Sequence, residues 1–458
     1  MLFKKSTLKW LLEKMIDQLC TLLKDLGETK AAVTLLEAMG RHAVSRAQCD
    51  ELAKSFFLIK KYNNSVKWAE KSLALSVTNE ERFAARENLA NSYAHAFYPE
   101  KALNEIEILE RIDSNNNDIK GKKAYCLFLL GRRDEAEKIL RDLLADHKID
   151  LETKVKIEFN LGTYELYRDN FLEGLYRFLF YGRKMDLWKK PTLPFKFWDG
   201  TPISGKTLII RAEAGIGDEF INVRFVNHLK KLKVNPVWFT ERKELAKIFN
   251  FNGYNTVTSL DEIKYLDPDT YWCHSMDIPV LLRLQYDNLY DGPYIMPTQK
   301  TNILKSNKLK IGLRWQGNPD YDNDLHRSVP LGEIWEIVKD LDADFYSLQR
   351  DDGAEDVYDF PSIVPLHENH LKTFDDTLSI IDELDIVITT CTSIAHAAAS
   401  MGKKTYVLSP VSSYYIWCYS DKQPKSPWYG DNVKLLRQKR PRHWNEPLEE
   451  LKKCLIGL

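Results

Sequence analysis

The first 190 residues of the chain contain almost no proline. Pro99 is the only proline before Pro191. A proline inside a helix removes a backbone hydrogen bond and clashes with the preceding turn, so a long stretch without proline favours helices. Apolar residues recur at helical spacing through the same stretch. We therefore predict an array of helices joined by short turns over residues 1–190.

Within this stretch a small residue recurs at nearly constant intervals. It follows a turn and precedes apolar positions at helical spacing, as in FYPEKALNEIEIL and GRRDEAEKILRDLL. The aligned residues are Ala32, Ser65, Ala102, Ala136 and Gly174, with separations of 33, 37, 34 and 38 residues. These intervals, and the segments LANSY and LGTYE, resemble the tetratricopeptide repeat, a helix pair of about 34 residues. In that family the small residue lets the two helices approach closely.

Repeats of this kind stack because one helix pair cannot bury its apolar face by itself. The resemblance therefore implies an all-α superhelix over residues 1–190. Two interpretations of its purpose remain open. A concave groove would bind a peptide or a protein partner, whereas a spacer would support the rest of the chain or mediate self-association.

Charge and cysteine content exclude several functional classes. The chain has 65 Lys and Arg against 66 Asp and Glu, so a net charge of −1 gives no global attraction to nucleic acid. The seven cysteines form no C-x-x-C pair, which favours a reducing compartment, the cytoplasm. No run of about 18 apolar residues occurs, so we expect no membrane span. Charged residues interrupt the apolar stretch of the first twenty residues, which predicts an amphipathic helix rather than a signal peptide.

The pattern changes after residue 190. Prolines and glycines cluster in KKPTLPFKFWDGTPISGK, which indicates a linker. Short apolar runs then alternate with helical segments, and the runs are TLIIRAE, NPVWFT, KIGLRWQG, ADFYSLQR, LDIVITTC and KTYVLSP. This alternation predicts α/β lobes with parallel, doubly wound sheets over residues 191–305 and 306–458. Ligands in such folds bind at the carboxyl ends of the strands.

Three polar motifs follow predicted strands. The first places Gly215, Gly217 and Asp218 between the strand LIIRAE and a helix. Glycines there let backbone amides approach a ligand, and a helix N-terminus favours negative charge. The spacing lacks the last glycine of the dinucleotide fingerprint. Asp218 is either a helix cap or a functional acid, and Arg224 faces either the same cleft or the solvent.

The second motif ends a strand with Arg314 and continues into a loop with Arg327 and Ser328. Arginine suits bidentate binding of phosphate oxygens, although a single loop arginine is often only a solvated charge. The third motif, TTCTSIAH, follows the strand LDIVI and opens a helix, where hydroxyls and amides form an anion site. His396 lies one turn in and is either a ligand or a core histidine. Cys391 has no matched base beside it, so we exclude a catalytic nucleophile.

Together the motifs resemble bacterial glycosyltransferases of the GT-B fold, of the heptosyltransferase-like (glycosyltransferase family 9-like) type, in the branch that carries tetratricopeptide repeats. The family patterns E-x-G-x-G-D with a following R-[FY], V-G-x-x-W-x-G-N-P, N-D-x-x-R-S-x-P-L and D-T-x-x-A-H have counterparts in EAGIGD with Arg224-Phe225, IGLRWQGNP, NDLHRSVPL and CTSIAH. The likeness covers about residues 190–445. It implies two facing Rossmann-like lobes, with the acceptor on the first and the donor on the second.

The resemblance implies transfer of a sugar from a nucleotide-diphosphate sugar to an acceptor hydroxyl, with inversion and without a metal or other cofactor. Asp218 would be the general base. The acceptor would be a glycan, a lipid-linked glycan or a protein. The donor nucleotide and its phosphates would contact residues of all three motifs and of the segment SLQ: Gly215, Gly217, Arg314, Arg327, Ser328, Gln349, Thr392, Ser393 and His396.

One position departs from the family pattern. Cys391 stands where the family usually has an aspartate that helps to organise the donor site. This departure leaves open a second hypothesis, a catalytically degenerate repeat scaffold that binds a protein partner. A third hypothesis, a nucleotide-sugar-modifying enzyme such as an epimerase, lacks a G-x-G-x-x-G or Y-x-x-x-K element in a suitable context.

Overall fold

The structure is a computed structural model that describes most of the chain. The described residues are 18, 22, 28–41, 45–185, 193–263, 269–319, 324–367, 369–423 and 425–456. By its contacts the chain divides into two compact units, one of residues 1–149 with 440–442 and the other of residues 150–439 with 443–458. The amphipathic helix predicted at the start of the chain lies outside the described residues, apart from Gln18.

The regular secondary structure described between residues 28 and 149 of the first unit is helical, and each helix packs against the next. Pro99 is the first residue of its helix, where a missing amide hydrogen costs nothing, so it does not interrupt the array. The helices are α1 (Thr29–Gly40), α2 (Arg46–Leu58), α3 (Tyr62–Ala74), α4 (Asn79–His95), α5 (Pro99–Ile112), α6 (Asn117–Leu129) and α7 (Arg133–Ala145).

One type of turn recurs between paired helices. Its central residue has a positive φ, and its following amide bonds back to a carbonyl five residues earlier, as from Tyr98 to Tyr93. The left-handed residues are Lys60, Phe97 and Gly131, with Asp169 as the equivalent in the second unit. The recurring small residue stands five positions later in each case and is buried: Ser65, Ala102, Ala136 and Gly174. The periodicity predicted from the sequence therefore has a structural counterpart, while membership in the tetratricopeptide family stays a prediction.

The second unit begins with helices that pack closely on one another. They are α8 (Leu151–Tyr167), α9 (Phe171–Leu175), a π-helical turn (Tyr176–Phe180) and α10 (Tyr181–Lys184). A Cβ atom on Gly162 would lie 2.6 Å from the backbone nitrogen of Phe178, and one on Gly174 would lie 2.6 Å from Leu166 Cγ. Both glycines are thus required by the close approach of neighbouring helices. These helices share the apolar core of the α/β part, whereas the domain boundaries predicted at residues 190 and 305 stay predictions.

The first sheet has five parallel strands in the order β1-β5-β2-β3-β4. Its strands are β1 (Lys196–Phe197), β2 (Thr207–Arg211), β3 (Asn235–Phe239), β4 (Thr256–Val257) and β5 (Tyr271–His274). Its helices are α11 (Ile216–Val223), α12 (Phe225–Lys231), α13 (Lys243–Phe251) and α14 (Ile278–Leu281). We call this part the first lobe. Short 3₁₀ helices occupy Leu260–Glu262, Ser275–Asp277 and Tyr286–Asn288.

The second sheet has six parallel strands in the order β11-β10-β9-β6-β7-β8, and we call this part the second lobe. Its strands are β6 (Leu309–Arg314), β7 (Ala343–Ser347), β8 (Ile363–Pro365), β9 (Ile386–Thr390), β10 (Lys404–Ser409) and β11 (Val433–Arg437). Its helices are α15 (Asp324–Arg327), α16 (Leu331–Val338), α17 (Phe374–Glu383), α18 (Ser393–Ser400) and α19 (Asn445–Leu455), with 3₁₀ helices at Ala354–Asp359 and Tyr415–Trp417.

Each sheet has a point where the strand order reverses. In the first lobe it lies between β2 and β5, and in the second between β6 and β9. Ligands of doubly wound folds bind outside the carboxyl ends of strands at such points, and the three polar motifs follow β2, β6 and β9. The prediction of a helical N-terminal region followed by parallel α/β sheets is confirmed. Within the described residues, no helix has the length and apolarity needed to cross a membrane.

One apolar core joins the two lobes. It contains Phe220 and Val223 of α11 together with Ala395 and Ala398 of α18, all fully buried. The rings of Phe220 and Phe374 are stacked, with centroids 5.1 Å apart. Apolar packing between helices of different lobes therefore stabilises the approach of the carboxyl ends of the two sheets.

Candidate active site

Asp218 is held by one hydrogen bond from each lobe. It lies in the first turn of α11, where its Oδ2 accepts from the Gly215 amide at 2.9 Å. Its Oδ1 accepts from the hydroxyl of Tyr414, on the loop after β10, at 2.5 Å. The cap interpretation is therefore correct for one oxygen, while the other oxygen faces the second lobe.

The surroundings of Asp218 favour a protonated carboxyl more than water does. Burial raises the pKa of Asp218 above its usual value, and the hydrogen bonds from Tyr414 and Gly215 counteract this rise. The nearby carboxylate of Glu213 adds to it. A carboxylate with a raised pKa is a better proton acceptor in catalysis than an ordinary surface aspartate.

Gly217 lies where the two lobes touch. A Cβ atom on it would stand 2.8 Å from His396 Cδ2 and 3.3 Å from the Cα of Ser393. A side chain would thus push α11 away from α18. The glycine brings the turn that carries Asp218 next to the start of α18.

The start of α18 has no side-chain cap. Thr392 occupies the cap position, but its hydroxyl pairs with that of Thr389 at 3.3 Å instead of with the helix amides. Ser393, the first helical residue, is partly exposed. A helix start without a capping side chain presents amide hydrogens and partial positive charge to an anion. Thr392 and Ser393 therefore lie where the anion site is predicted.

Arg327 is fixed beside the same helix start. Its Nε donates to Asp324 Oδ1 at 2.8 Å, and its Nη1 donates to the carbonyl of Cys391 at 2.9 Å. Ser328 Oγ donates to the other oxygen of Asp324 at 3.0 Å and accepts from the amide of Gly317 at 3.3 Å. The second motif and the third motif therefore meet at one place in the second lobe.

Arg314 and Gln349 are buried behind this place and hold the loops after β6 and β7. Arg314 Nη1 donates to the Leu348 carbonyl at 3.0 Å, and burial lowers the pKa of Arg314 to about 10, so it stays charged at neutral pH. Gln349 Oε1 accepts from the Gln316 amide at 3.2 Å, and its Nε2 donates to the Asp352 carbonyl at 2.7 Å. Their contacts in the structure position backbone, and their binding of a nucleotide stays a prediction.

His396 has the contacts of a core histidine. Its ring is buried and stacks on Trp417 with centroids 5.3 Å apart, and its Nδ1 lies 3.1 Å from the Tyr429 hydroxyl. Burial lowers the pKa of His396 to about 3, so the ring is neutral over the physiological range. A neutral ring adds no positive charge to a phosphate site, and a direct contact with the donor stays a prediction.

Cys391 is buried immediately before the cap residue of α18. The Trp417 indole donates to its Sγ at 3.1 Å, and burial raises the pKa of the Cys391 thiol. A buried neutral thiol is a poor nucleophile, in agreement with its exclusion as one.

Arg224 faces neither a cleft nor the solvent, so both interpretations made from the sequence are wrong. Its side chain is buried, with Nε donating to the Ile221 carbonyl at 2.7 Å and Nη2 to the Tyr294 hydroxyl at 2.6 Å. Its Nη1 donates to the carbonyl of Trp428 in the second lobe. The guanidinium thus satisfies buried carbonyls and joins the lobes.

Two features near Asp218 were missed by the sequence analysis. Tyr414 comes five residues after β10, and the rule on carboxyl ends of strands would have included its loop. Glu219, next to Asp218, is fully buried and accepts from Arg242 at 2.5 Å. Arg242 also donates to the carbonyl of Ala214, which has a φ of 62°. This bond stabilises Ala214 in a backbone conformation that non-glycine residues rarely adopt.

A polar cavity of about 300 Å³ opens at the carboxyl ends of β2 and β3. Glu241 on its rim pairs with Arg211 at 3.3 Å. Its lining consists of Arg211, Ala212, Glu213, Ala214, Phe239, Thr240, Glu241 and Arg242. Within the described residues, no cluster of three or more His, Cys, Asp or Glu side chains is placed to hold a metal ion.

Comparison with known proteins gives only weak similarity. No protein-family profile and no curated protein matches the chain. A family 9 glycosyltransferase of Veillonella parvula is 11% identical with a TM-score of 0.36, over 53% of this chain and 88% of that chain. An O-GlcNAc transferase of Thermobaculum terrenum is 11% identical with a TM-score of 0.31, over 91% of each chain. LpoA of Haemophilus influenzae reaches 10% and 0.22, over 81% of this chain and 78% of that chain. At such low scores these likenesses establish neither family nor activity.

Proposed function

We propose that the chain is a glycosyltransferase that moves a sugar from a nucleotide-diphosphate sugar to an acceptor hydroxyl. The observation that supports this best is the approach of two sites from different lobes. Asp218, an acid with a raised pKa, lies on the turn that packs against the start of α18. Arg327 and the uncapped amides of α18 lie on the other side of that contact. A base beside an anion site is what sugar transfer from a diphosphate needs.

In the proposed step, the acceptor oxygen attacks the anomeric carbon of the donor sugar. The bond between that carbon and the diphosphate oxygen breaks, and its electron pair leaves with the diphosphate. The hydroxyl proton passes to Asp218. Attack from the face opposite the leaving group inverts the anomeric centre, so we propose an inverting enzyme.

The same groups make a metal ion unnecessary in this proposal. Charge builds up on the diphosphate as it leaves, and the guanidinium of Arg327 together with the amides of α18 would stabilise it. Arg327 is oriented in advance by Asp324 and by the Cys391 carbonyl, so little reorganisation is required during the reaction.

The first lobe would take the acceptor. Its cavity borders the backbone of Ala214, one residue before the glycine whose amide donates to Asp218. Paired charges such as Arg211 and Glu241 suit hydroxyl groups, which both donate and accept hydrogen bonds. A glycan, a lipid-linked glycan and a protein side chain all satisfy this description. The helical repeats would assist by binding a protein acceptor or by self-association.

The proposal is tested by incubating the full chain with a panel of nucleotide sugars and acceptors and measuring nucleotide release. Asp218→Asn keeps the size and an accepting oxygen but cannot take a proton. We expect release to fall by about 10²–10⁴-fold in this variant, the usual contribution of a general base.

Asp269→Asn, which changes an exposed carboxylate of the first lobe, is the matched control and should retain the wild-type rate. Release that is unaffected by Asp218→Asn would exclude the assigned role. Absence of release with every donor, together with capture of one specific protein by the helical unit, would favour the scaffold hypothesis that Cys391 keeps open.

A further inference from the structure

The bond between Tyr414 and Asp218 joins two residues 196 positions apart in the chain. Asp218 belongs to the first lobe, whereas Tyr414 follows β10 in the second lobe. At 2.5 Å between the two oxygens, the bond is short, as is usual for a hydroxyl that donates to a carboxylate. None of the family patterns matched by the sequence includes this tyrosine.

We propose that Tyr414 is a positioning residue that orients the carboxylate of Asp218 and stabilises its ionised form from across the lobe contact. The proposal rests on the function proposed above, because it assigns a purpose to the base of that reaction. Tyr414 would act through Asp218 and would not itself exchange a proton with the substrate.

The side chain of Tyr414 is held firmly enough for this purpose. Its ring packs edge-on against the buried ring of Tyr415, with centroids 4.7 Å apart. Tyr415 in turn packs against Trp428 at 5.7 Å. The Tyr414 carbonyl accepts from the Trp417 amide at 2.8 Å. The hydroxyl is thus presented to Asp218 by a ring whose position is fixed by packing and by a backbone hydrogen bond of the second lobe.

The bonds to Asp218 leave room for a substrate. The carboxylate accepts hydrogen bonds from Tyr414 and from the Gly215 amide, and its own backbone amide also donates to it. An ionised carboxylate has about four lone-pair positions, so about one stays available for the proton of an acceptor hydroxyl. The carboxylate can therefore keep its orientation while it takes that proton.

The other titratable groups that face Asp218 do not stabilise its ionised form in the way that this bond does. They are Glu213 in the same turn, Cys391 before α18, Tyr415 in the loop after β10 and Tyr429 before β11. Glu213 is an acid that disfavours a second carboxylate nearby. The other three have raised pKa values and are neutral at pH 7.

Because the hydroxyl that bonds Asp218 belongs to the second lobe, the orientation of the carboxylate depends on the contact between lobes. Separation of the lobes would remove this hydroxyl, which lowers the pKa of Asp218, and would also reduce the burial that raises it. The carboxylate is therefore held from both sides only when the anion site of α18 is beside it. This arrangement links activation of the acceptor to the presence of the second lobe.

The experiment compares the full chain with Tyr414→Phe, which keeps the ring and removes only the hydroxyl. Loss of a donor to the carboxylate raises the pKa of Asp218, and the base must be ionised to act. We therefore expect the acidic limb of the kcat/KM profile to move to higher pH by about one unit. Tyr358→Phe, at a tyrosine of the second lobe that is 53% exposed, is the control and should leave the limb in place.

A second measurement does not depend on activity. The carboxyl carbon of Asp218 is titrated by ¹³C NMR in the full chain labelled at aspartate, with Asp218→Asn to assign the signal. The titration midpoint should rise by about one pH unit in Tyr414→Phe. Incorporation of 3-fluorotyrosine at position 414 provides a hydroxyl of nearly the same shape that donates more strongly, and it should lower the Asp218 midpoint. This measurement tests the proposal even if the phenylalanine variant unfolds.

The outcomes separate this proposal from the function on which it rests. An unchanged Asp218 midpoint in Tyr414→Phe overturns the proposal, as does an equal rate loss at every pH. If Tyr414→Phe weakens nucleoside diphosphate binding and leaves the Asp218 midpoint unchanged, Tyr414 contacts the nucleotide-sugar substrate, and the proposal is overturned. If no donor is turned over by the wild-type chain, the proposed function fails, and the carboxyl titration alone decides the purpose of Tyr414.

Discussion

Asp218 shows how two interpretations of one residue can both hold. Its Oδ2 caps α11 through the Gly215 amide, as a first-turn acid commonly does. Its Oδ1 is directed at the second lobe, where Tyr414 meets it. The cap could be predicted because cap and amide are three residues apart. The bond to Tyr414 could not, because it depends on how two separate sheets come together.

The second lobe provides a residue-scale prediction at Arg327. Arg327→Ala removes the guanidinium that Asp324 and the Cys391 carbonyl orient beside α18. A hydrogen bond to a charged group contributes about 1.5–3 kcal/mol, so nucleoside diphosphate binding should weaken by about 10–100-fold. Isothermal titration calorimetry with a nucleoside diphosphate of each base measures this affinity.

Two further variants make the Arg327 result specific. Arg327→Lys keeps the charge but loses the planar fork, so we expect an intermediate affinity. Lys339→Ala removes a cation that follows α16 and pairs with Glu336, and should leave binding unaltered. Equal affinity of Arg327→Ala and wild type would show that the anion site lies elsewhere.

Among the helical elements, each repeat keeps a constant number of residues between a left-handed turn residue and the small residue that follows it. The offset is five residues at Lys60, Phe97, Gly131 and Asp169, although the repeats themselves differ in length. All variation in repeat length therefore lies between a small residue and the next left-handed turn. The small residues could be aligned from the sequence, whereas three of the four left-handed residues are not glycine, so their positive φ could not be predicted.

Substitution by alanine should change stability in opposite directions at two glycines, one inside α6 and one in the turn after it. Gly131 has a φ of 76° in the turn after α6, and a Cβ atom there would touch nothing within 4 Å. Gly131→Ala should therefore destabilise by about 1 kcal/mol through backbone strain alone. Gly121 lies inside α6 with equal space around it, so Gly121→Ala should stabilise by about 0.5–1 kcal/mol.

Urea denaturation followed by helical circular dichroism distinguishes these two variants. The midpoint should fall for Gly131→Ala and rise for Gly121→Ala, with the same slope for both. A loss of stability in both variants would mean that crowding, and not backbone conformation, determines the cost at these positions.

The α/β elements were predicted unevenly, for physical reasons. Six of the seven strands with five or more residues were found from the sequence, and β9 is buried along its whole length. The seventh, β11, has Lys434 and Arg437 among its five residues and was not predicted. The strands β1, β4 and β8 have only two or three residues, so they show no periodicity. The strand β5 contains Tyr271 and His274 beside a short apolar pair, so its composition gives no clear strand signal. Its pairing with β2 stabilises the extended conformation.

In the whole molecule, contacts group the residues from Asp150 onwards with the two sheets, while the domain boundary expected at the linker stays a prediction. The helical segment from α8 through the π-helical turn contributes Leu166, Phe171, Leu175 and Phe178 to the core shared with both sheets. The proline-rich linker after residue 190 indicated a boundary because composition changes there. Composition reports local conformation, whereas a compact unit is defined by contacts that are distant in sequence.

Two truncations test where the compact unit begins. A chain of residues 150–458 keeps the four apolar side chains, and we expect cooperative thermal unfolding with native circular dichroism. A chain of residues 191–458 removes them. Each fully buried side chain contributes about 1.5–3 kcal/mol, so this shorter chain should bind a hydrophobic dye and lose cooperativity. Equal cooperativity of both chains would place the boundary at the linker.

The fit of α11 against α18 has a consequence for exchanging lobes between enzymes. Gly217 is small because the second lobe begins α18 within van der Waals reach of it, at Ser393 and His396. A second lobe transplanted from an enzyme with another nucleotide preference would have to present an equally close helix start and a tyrosine that reaches Asp218. A transplanted second lobe that supplies only the nucleotide contacts would leave a void or a clash between α11 and α18. Under the proposed function, a chimera that also exchanges residues 215–223 would transfer donor preference and the proposed catalytic geometry together.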